Sequence, residues 1–249
     1  MEELAIRHNR LRIYSSVEEL DHAAAQLFVS TAQEVLQSAD RFSVVLSGGS
    51  TPEPVYKLLA QEPYRNEVDW SRTHVFWGDE RCVPRNDARN NARMARNSLL
   101  DRVPIPADQV HPMPSEEEPG QAAVHYETTI RAFFQNAPAR FDLVLLGLGE
   151  NGHTASLFPH TAILDESERW VQDVYVPDQD MYRVSLTVPI LNQAGQVVFL
   201  AHGAGKAGVL KDVLLGAPQP RDLPAQLIHP TNGETTWLLD RDAAAQLPR

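Results

Sequence analysis

The sequence predicts an α/β fold, a Rossmann-like sandwich in which helices flank a mainly parallel central sheet on both faces. Short apolar runs rich in β-branched and aromatic residues alternate with helix-like stretches, which is the pattern of a parallel sheet with crossover helices. With 249 residues, 43% of them hydrophobic, the chain is long enough to bury one sizeable core. We therefore expect a single domain over residues 1–249.

Each predicted element follows from its local pattern. The predicted strands are the apolar runs at residues 42–46, 74–77, 141–146, 183–188, 196–201 and 235–239. Helical periodicity predicts helices over residues 17–37, 52–59, 91–100, 121–134 and 206–214. The first helix has one continuous apolar face, which we expect in the core. The Pro-rich residues 103–119 are expected to form a surface connection within the domain.

Composition excludes several classes of protein. The net charge of −11 and the pI of about 5.2 argue against nucleic-acid and membrane-surface partners, because phosphate backbones and anionic lipids select basic surfaces. Cys82 is the only cysteine, so an intramolecular disulfide is excluded and a buried thiol is expected. We find neither a secretory signal nor an apolar run that could span a bilayer, and we expect a cytoplasmic protein.

The first candidate site follows the strand predicted at residues 42–46. In open parallel sheets, ligands bind beyond the carboxyl ends of the strands. Here that position holds small and hydroxyl residues, namely Ser47, Gly48, Gly49, Ser50 and Thr51. Either Thr51 caps the next helix or Ser50 does so in a capping box with Glu53. The free N–H groups at such a helix start favour a phosphate, and an ordinary well-capped turn is the alternative.

The second candidate site follows the strand predicted at residues 74–77. Asp79, Glu80 and Arg81 stand directly after it. A guanidinium offers a planar fork for oxyanions, and a carboxylate accepts protons from sugar hydroxyls. These side chains therefore indicate either a site for a polyhydroxylated substrate or a structural ion pair.

The third candidate site is a G-x-G-x-x-G pattern, with glycines at positions 147, 149 and 152, after the strand predicted at residues 141–146. This pattern is typical of dinucleotide sites, which also need a full crossover helix and a following strand that ends in an acid. A helix that began after Gly152 would meet Pro159 within about two turns. We therefore interpret the glycines as a tight turn.

The residue that this turn presents is His153. Histidine is the side chain best matched to proton transfer near neutral pH, although a single His after a glycine is more often a cap or a surface residue. Glu150 and Asn151 lie beside it and, with Gly152, are candidates to support it. Basic groups come from Arg183, at the start of a predicted strand, and from Lys206, at the start of a predicted helix. Together with the 47–51 loop they indicate a phosphomonoester pocket.

These stretches resemble the family of 6-phosphogluconolactonases and glucosamine-6-phosphate isomerases/deaminases. The resemblance covers nearly the whole chain, through residues 47–52, 78–84, Asn91 with 94–96, 147–159, 183–189, Gly203 with 206–207, and 237–240. The run His-Thr-Ala-Ser-Leu-Phe-Pro after the glycine turn is typical of the lactonase branch.

The resemblance implies hydrolysis of 6-phospho-D-glucono-1,5-lactone to 6-phosphogluconate, in the oxidative pentose phosphate pathway, without a cofactor or a metal. It implies that His153 is the general base and that Asp79 and Arg81 face the sugar ring. The phosphate would be held by the 47–51 loop with Arg183 and Lys206. No covalent nucleophile is needed, and Ser156 is a candidate only through its proximity in sequence.

One residue departs from the family, and other functions stay open. Many relatives have Asp where this chain has Asn151, so either the carboxylate is not essential, the enzyme is weaker, or Glu150 substitutes for it. The alternatives are a glucosamine-6-phosphate isomerase/deaminase, a non-catalytic sugar-phosphate-sensing domain and, more remotely, a nucleotide-dependent dehydrogenase. The oligomeric state is not readable from the sequence.

Overall fold

The fold is organised by two sheets, seen in a computed structural model that describes residues 1–135 and 139–248. The strands in these residues are β1 (Glu2–Ile6), β2 (Asn9–Tyr14), β3 (Phe42–Leu46), β4 (Thr73–Trp77), β5 (Asp79–Arg81), β6 (Leu143–Gly147), β7 (Val171–Val176), β8 (Met181–Leu186), β9 (Gln196–Ala201) and β10 (Glu234–Asp240). The α-helices are α1 (Val17–Leu36), α2 (Glu53–Leu59), α3 (Tyr64–Glu67), α4 (Asn91–Ser98), α5 (Pro119–Phe133), α6 (Val188–Leu191) and α7 (Ala207–Leu215).

The larger sheet confirms the predicted fold class. Its strand order is β1-β2-β10-β9-β6-β3-β4, and every neighbouring pair except β1 and β2 is parallel. Strands β3 and β9 begin and end at the predicted residues. Strand β3 lies between β4 and β6, with Val45 opposite both Phe76 and Val144. The three strands are parallel, so their carboxyl ends meet at one edge of the sheet.

The core forms between this sheet and the helices that flank it. Every residue of β3 is buried, as expected for a parallel strand covered on both faces. Helix α1 begins at a capping box, in which Ser16 accepts the N–H of Glu19 and the Glu19 carboxylate accepts the N–H of Ser15. Its predicted apolar face is in the core, where Leu20 and Phe28 are fully buried.

The smaller sheet was not predicted. It is antiparallel, with strand order β5-β8-β7. The strand predicted at residues 183–188 is β8, two residues earlier in the chain, because Pro189 is in the first turn of α6 and fixes the helix start. Arg183 therefore lies in the middle of a strand and not at its start. Asp79 lies in β5, which pairs with β8 through Asp79 and Ser185.

Two further segments differ from the sequence prediction. The β1–β2 hairpin adds an edge to the larger sheet that the charged N-terminal sequence did not indicate. The predicted surface connection at residues 103–119 is partly buried. Val110 bridges to Val75, and the side chain of the buried Gln109 donates to the carbonyl of Thr73. This connection therefore extends the packing beside β4.

Candidate active site

A cleft with a cavity volume of about 200 Å³ lies where β3, β4 and β6 end. Nine of the side chains and glycines predicted for the site line it, namely Ser47, Gly48, Gly49, Ser50, Thr51, Asp79, Arg81, His153 and Arg183. The fold therefore brings into one cleft residues that lie as far apart in the chain as positions 47 and 183.

The G-x-G-x-x-G segment is a tight turn, as predicted. The N–H of Gly149 donates to the carbonyl of His153 at 2.8 Å, and the N–H of Gly152 donates to the carbonyl of Gly149 at 3.0 Å. No α-helix follows Gly152 before β7 begins at Val171. A Cβ on Gly149 would lie 1.9 Å from Nδ1 of His153, so only glycine leaves room for the imidazole.

Asn151 fixes the tautomer of His153. Its Oδ1 lies 2.5 Å from Nδ1 of His153 and also accepts the backbone N–H of His153, at 3.3 Å. The backbone N–H can only donate, so the amide atom that faces both groups is the oxygen, and Nδ1 must carry a proton. In the neutral ring, Nε2 is then the free acceptor. Phe158 stacks on the imidazole with centroids 4.1 Å apart and fixes its plane.

The surroundings of His153 keep its ring neutral. Burial lowers the pKa of His153 to about 4. The negative charge of Asp79 opposes this shift, whereas the positive charges of Arg183, Lys206 and Arg81 reinforce it. His153 is therefore a proton acceptor, and not a cation, at neutral pH.

A buried ion pair crosses the floor of the cleft. Nη1 of Arg183 donates to Oδ2 of Asp79 at 3.1 Å, and both side chains are only 8% exposed. The hydroxyl of Ser156 donates to the same Oδ2 at 2.6 Å. Gln179 accepts a bond from Nη2 of Arg183. Ser156 is fully buried and bonded to a carboxylate, so it is placed to orient Asp79 and not to attack a substrate.

Glu80 and Asn91 connect the smaller sheet to α4. The buried Glu80 carboxylate accepts the backbone N–H groups of Arg81, Asn91 and Ala92, each at 2.8 Å. Burial raises the pKa of Glu80 to about 7, and these bonds oppose the shift. The side chain of Asn91 donates to the carbonyl of Asp79 at 2.9 Å. The Glu80 carboxylate is therefore used to hold the first residues of α4 in place, next to the cleft.

The 47–51 loop is held from two sides. The hydroxyl of Tyr56 in α2 accepts the N–H of Ser47 at 3.0 Å and donates to its carbonyl at 2.8 Å. A Cβ on Gly48 would lie 1.8 Å from Oδ1 of Asn91, so glycine is required at this close approach. Gly49 has a φ of 98°, in the left-handed region that favours glycine.

The predicted caps of the following helix are wrong. Helix α2 has Pro52 at its N-cap, and no side chain makes a capping bond there. Neither Ser50 nor Thr51 acts as a cap, because Pro52 and Pro54 preset the backbone angles of the helix start. The hydroxyls of this loop line the cleft instead and are available to a ligand.

Several buried polar atoms at this cleft lack a partner within residues 1–135 and 139–248. They are Oγ of Ser47, Nε of Arg81 and Nε of Arg183. Arg81 also donates through Nη1 to the carbonyl of Arg89, at 2.5 Å, which orients its guanidinium. Buried polar groups are normally satisfied, and these three unpaired atoms, which have almost no accessible surface, belong to side chains that line the cleft.

Four predicted residues lie outside this lining: Asn151 and Gly152, which belong to the turn described above, and Lys206 and Glu150. Lys206 immediately precedes α7 and does not line the cleft, although it is near enough for its charge to lower the pKa of His153. Glu150 is exposed and makes no hydrogen bond to His153 in the described part of the chain. Asn151, and not Glu150, therefore supports the imidazole.

Four supporting residues were not among the predicted site residues: Tyr56, Asn91, Phe158 and Gln179. Asn91 and Phe158 lie in stretches that carry the family resemblance, so a signal for them existed. Tyr56 and Gln179 carry no local signal, because their contacts with Ser47 and Arg183 depend on how distant segments pack.

The described residues offer neither a cluster of metal ligands nor a membrane-spanning helix. The described residues contain no group of three or more His, Cys, Asp or Glu side chains that could hold a metal ion. None of the helices in the same residues is both long and apolar enough to cross a bilayer. Cys82 is half-buried, and burial raises the pKa of its thiol to about 11.

Comparison with known proteins identifies the family. The model of the family described as glucosamine-6-phosphate isomerases/6-phosphogluconolactonase matches residues 15–237. A 6-phosphogluconolactonase of Synechocystis sp. is 44% identical over 211 residues, which cover 82% of this chain and 84% of that protein. One of Nostoc sp. is 40% identical over 228 residues, covering 89% of this chain and 91% of that protein.

A solved structure agrees with this assignment. The 6-phosphogluconolactonase from Trypanosoma cruzi superposes with a TM-score of 0.86 at 28% identity, and the match covers 100% of both chains. The cleft, the glycine turn and the histidine it presents thus occur on a fold shared with that enzyme. The chain belongs to the glucosamine-6-phosphate isomerase/6-phosphogluconolactonase family.

Proposed function

We propose that the chain hydrolyses 6-phospho-D-glucono-1,5-lactone to 6-phospho-D-gluconate, the lactone-opening step of the oxidative pentose phosphate pathway. The observation that carries this proposal is the state of His153, a neutral imidazole with its Nδ1 proton held by Asn151 and with Nε2 free. Its relatives from Synechocystis sp. and Nostoc sp. bear the name of this enzyme.

In this mechanism His153 is the general base. Nε2 takes a proton from a water molecule, whose oxygen attacks C1 of the lactone and forms a tetrahedral intermediate. The intermediate collapses as the bond between C1 and the ring oxygen breaks, and the imidazolium returns its proton to that oxygen. The balance is one lactone and one water giving one hydroxy acid. Throughout, Asn151 can keep its bond to the Nδ1 proton.

The sugar ring and the developing charge would be met by residues of β5. Arg81 lines the cleft, and its positive charge would stabilise the carbonyl oxygen, which becomes negative in the transition state. Asp79 is fixed by Arg183 and Ser156, and its place in the cleft wall suits a ring hydroxyl. Because this network is already formed, little reorganisation is needed when the substrate binds.

The phosphate would lie against the 47–51 loop. Ser47 and Arg183 both line the cleft there, and a hydroxyl and a guanidinium are groups that bind phosphate oxygens. Lys206 would contribute a flexible positive charge from the border of the cleft. A bound phosphate dianion would also offset the cations that lower the pKa of His153, which makes the imidazole a stronger base once the substrate is present.

The decisive experiment generates the lactone in situ and follows 6-phosphogluconate through a coupled dehydrogenase. We expect hydrolysis well above the spontaneous rate, with no metal or cofactor added. A rate equal to the spontaneous one would overturn the proposal and favour a sensing domain. Ammonia release from glucosamine 6-phosphate, in a parallel assay, would favour the deaminase instead.

The phosphate site is tested by comparing two substrates. Lys206→Ala should mainly raise KM for the phosphorylated lactone and leave hydrolysis of unphosphorylated gluconolactone unchanged, because only the former carries the dianion. Lys211→Ala is the matched control, since it removes a lysine of α7 whose charge, unlike that of Lys206, is not among those that act on His153. Equal effects of Lys206→Ala on both substrates would contradict a role for this lysine in phosphate binding.

A further inference from the structure

We propose that the chain has a second binding site, for a small amphipathic anion, at the edge of the larger sheet opposite the cleft. The site is a pocket of about 200 Å³ between Asn9, the first residue of β2, and Trp237 in the middle of β10. The turn between β1 and β2 forms one wall, and the segment from Pro218 to His229 forms another. The binding part of this proposal is independent of the function proposed for the cleft.

The floor of the pocket is apolar and well ordered. Trp237 is 1% exposed and stacks on Phe199, with ring centroids 3.9 Å apart and planes within 4°. Its indole N–H already donates to Oδ1 of Asn9 at 3.0 Å, so the ring offers only carbon surface to a ligand. The other apolar side chains in the lining are Val213, Leu214, Pro218, Ala225 and Ile228. Such a floor selects a short apolar body.

The mouth of the pocket selects a negative charge. Arg7, His8 and His229 line it, all three exposed, and no Asp or Glu lines it among the described residues. This composition differs from that of the whole chain, whose net charge is −11. A guanidinium beside imidazoles suits a carboxylate or a sulfonate. A ligand with an apolar body and one carboxylate or sulfonate is therefore complementary to both the apolar floor and the basic mouth of the pocket.

Both walls are held in place by bonds within the protein. Nη2 of Arg7 donates to the carbonyls of Leu215 and Gly216, at 3.4 and 2.9 Å, which ties the β1–β2 turn to the end of α7. Asn192 accepts the backbone N–H of His229 at 2.6 Å and donates to the carbonyl of Leu227 at 2.8 Å. A preformed pocket loses little entropy when a ligand enters, which favours binding.

The pocket also contacts the turn that carries His153. Ala225 lines the pocket, and its N–H donates to the carbonyl of Gly152 at 2.9 Å. A Cβ on Gly152 would lie 2.7 Å from Cδ2 of Leu223, so the turn and this segment are tightly packed. A ligand that shifts Ala225 therefore displaces the residue next to His153. This link, unlike the binding itself, rests on the proposed role of His153.

The test is a charge series on one apolar body, namely hexanoate, 1-hexanol and hexylamine. Two-dimensional proton–nitrogen NMR follows the indole N–H of Trp237, identified by its loss in Trp237→Phe. Hexanoate should give a saturable shift and bind at least tenfold more tightly than the alcohol or the amine. Absence of a saturable shift with hexanoate would overturn the site, and equal affinity for hexanoate and hexanol would overturn its preference for anions.

Variants at the mouth and on the floor separate the two parts of the ligand. Arg7→Gln removes the charge and also the bonds to α7, so it should weaken hexanoate binding at least threefold more than hexanol binding, whereas Arg65→Gln, an exposed arginine outside the lining, should change neither. Ala225→Leu should fill the floor and weaken all three ligands. Arg7 is exposed, so its variant keeps the test valid even if Ala225→Leu fails to fold. An unchanged hexanoate affinity in Arg7→Gln would contradict the assigned mouth.

The link to the cleft has its own readout. Saturation with hexanoate should shift the imidazole signals of His153 in the same samples and leave those of the distant His74 unchanged. Unchanged His153 signals at saturation would overturn the link while the binding result is judged separately. If the lactonase assay fails and hexanoate still binds, the function proposed for the cleft is wrong and the second site stands.

Discussion

His153 and His111 have nearly the same acidity in very different settings. Burial lowers the pKa of each to about 4. His111 lies beside β4, stacked on Phe76 at 4.4 Å between ring centroids, and its Nε2 is 3.2 Å from Nδ1 of His74. His153 has one nitrogen held by Asn151 and lines a cleft. A perturbed pKa therefore does not by itself identify a catalytic group, and the proposal for His153 rests on its neighbours and its open nitrogen.

Removing each imidazole is the most direct test of the difference between the two histidines. His153→Ala should lower kcat by about 10²–10⁴, because a general base is lost. His111→Ala should leave kcat close to that of the unmodified chain and lower the unfolding temperature instead. Both are measured by the coupled lactonase assay, with spontaneous hydrolysis subtracted, and by thermal unfolding. Near-normal turnover in His153→Ala would contradict the assignment of His153 as the general base.

The glycine turn offers a sharper test with a matched control. Gly149→Ala puts a methyl group where Nδ1 of His153 lies and should displace the ring, lowering kcat by about 10². Gly208→Ala adds the same methyl group in α7, outside the cleft lining and with nothing within 4 Å, and should be close to neutral. Circular dichroism establishes that both variants fold. Equal kinetics in the two variants would show that the turn does not position the imidazole.

The bond to Asn151 is expected to have a smaller effect. Asn151→Ala leaves the Nδ1 proton without an acceptor, which costs about 1.4 kcal/mol and corresponds to about a tenfold loss in kcat. Asn151→Asp keeps an acceptor at this position and should retain most of the activity. If Asn151→Ala were as active as the unmodified chain, the tautomer would have to be fixed by another group.

The pH dependence of activity distinguishes a buried base from an exposed one. The free enzyme needs neutral His153, so kcat/KM should stay level as the pH falls from 7 to 5 and decline only near pH 4. An imidazole with an ordinary pKa of about 6.5 would lose activity much earlier. A pH series with unphosphorylated gluconolactone, which has no phosphate that titrates near pH 6, checks this after the spontaneous rate is subtracted, and an acid limb near pH 6.5 would contradict the burial of the base.

The smallest expected effect is on stability in acid. The pKa of His111 is lower in the folded state than in the unfolded chain, so protons bind preferentially to the unfolded state. Stability is therefore full above pH 6.5 and falls as the pH decreases toward 4. His111→Phe keeps an aromatic ring beside Phe76 and should reduce this loss. Urea unfolding at pH 7 and pH 5 measures it, and an unchanged difference would refute the role of His111.

Sequence reasoning succeeded where structure is locally encoded. Strands β3 and β9 are continuous apolar runs buried on both faces, and their ends were predicted to the residue. Strands β1, β2 and β5 carry charged residues at sheet edges or on the smaller sheet, so no apolar run marked them. The glycine turn and His153 were predicted because Pro159 leaves no room for a crossover helix.

The missing parts of the site depend on contacts between distant segments. The pairing of Arg183 with Asp79 requires that β5 and β8 run antiparallel in a second sheet. The local sequence of neither strand indicates that the two strands pair. Gln179 holds Arg183 only because the β7–β8 turn folds back over that strand. The sequence therefore indicated the side chains that we propose for the chemistry, and the structure was needed to show what holds them.

The site is built at a seam between two sheets. The larger sheet delivers the glycine turn and the 47–51 loop, and the smaller one delivers Asp79, Arg81 and Arg183. The N–H of Leu186 donates to the carbonyl of Gly78 at 2.8 Å, and Ser156 bonds to Asp79 across the same boundary. The geometry of the site thus depends on how the two sheets of one chain pack against each other. Damage that loosens this boundary will silence the chemistry while each sheet is still folded.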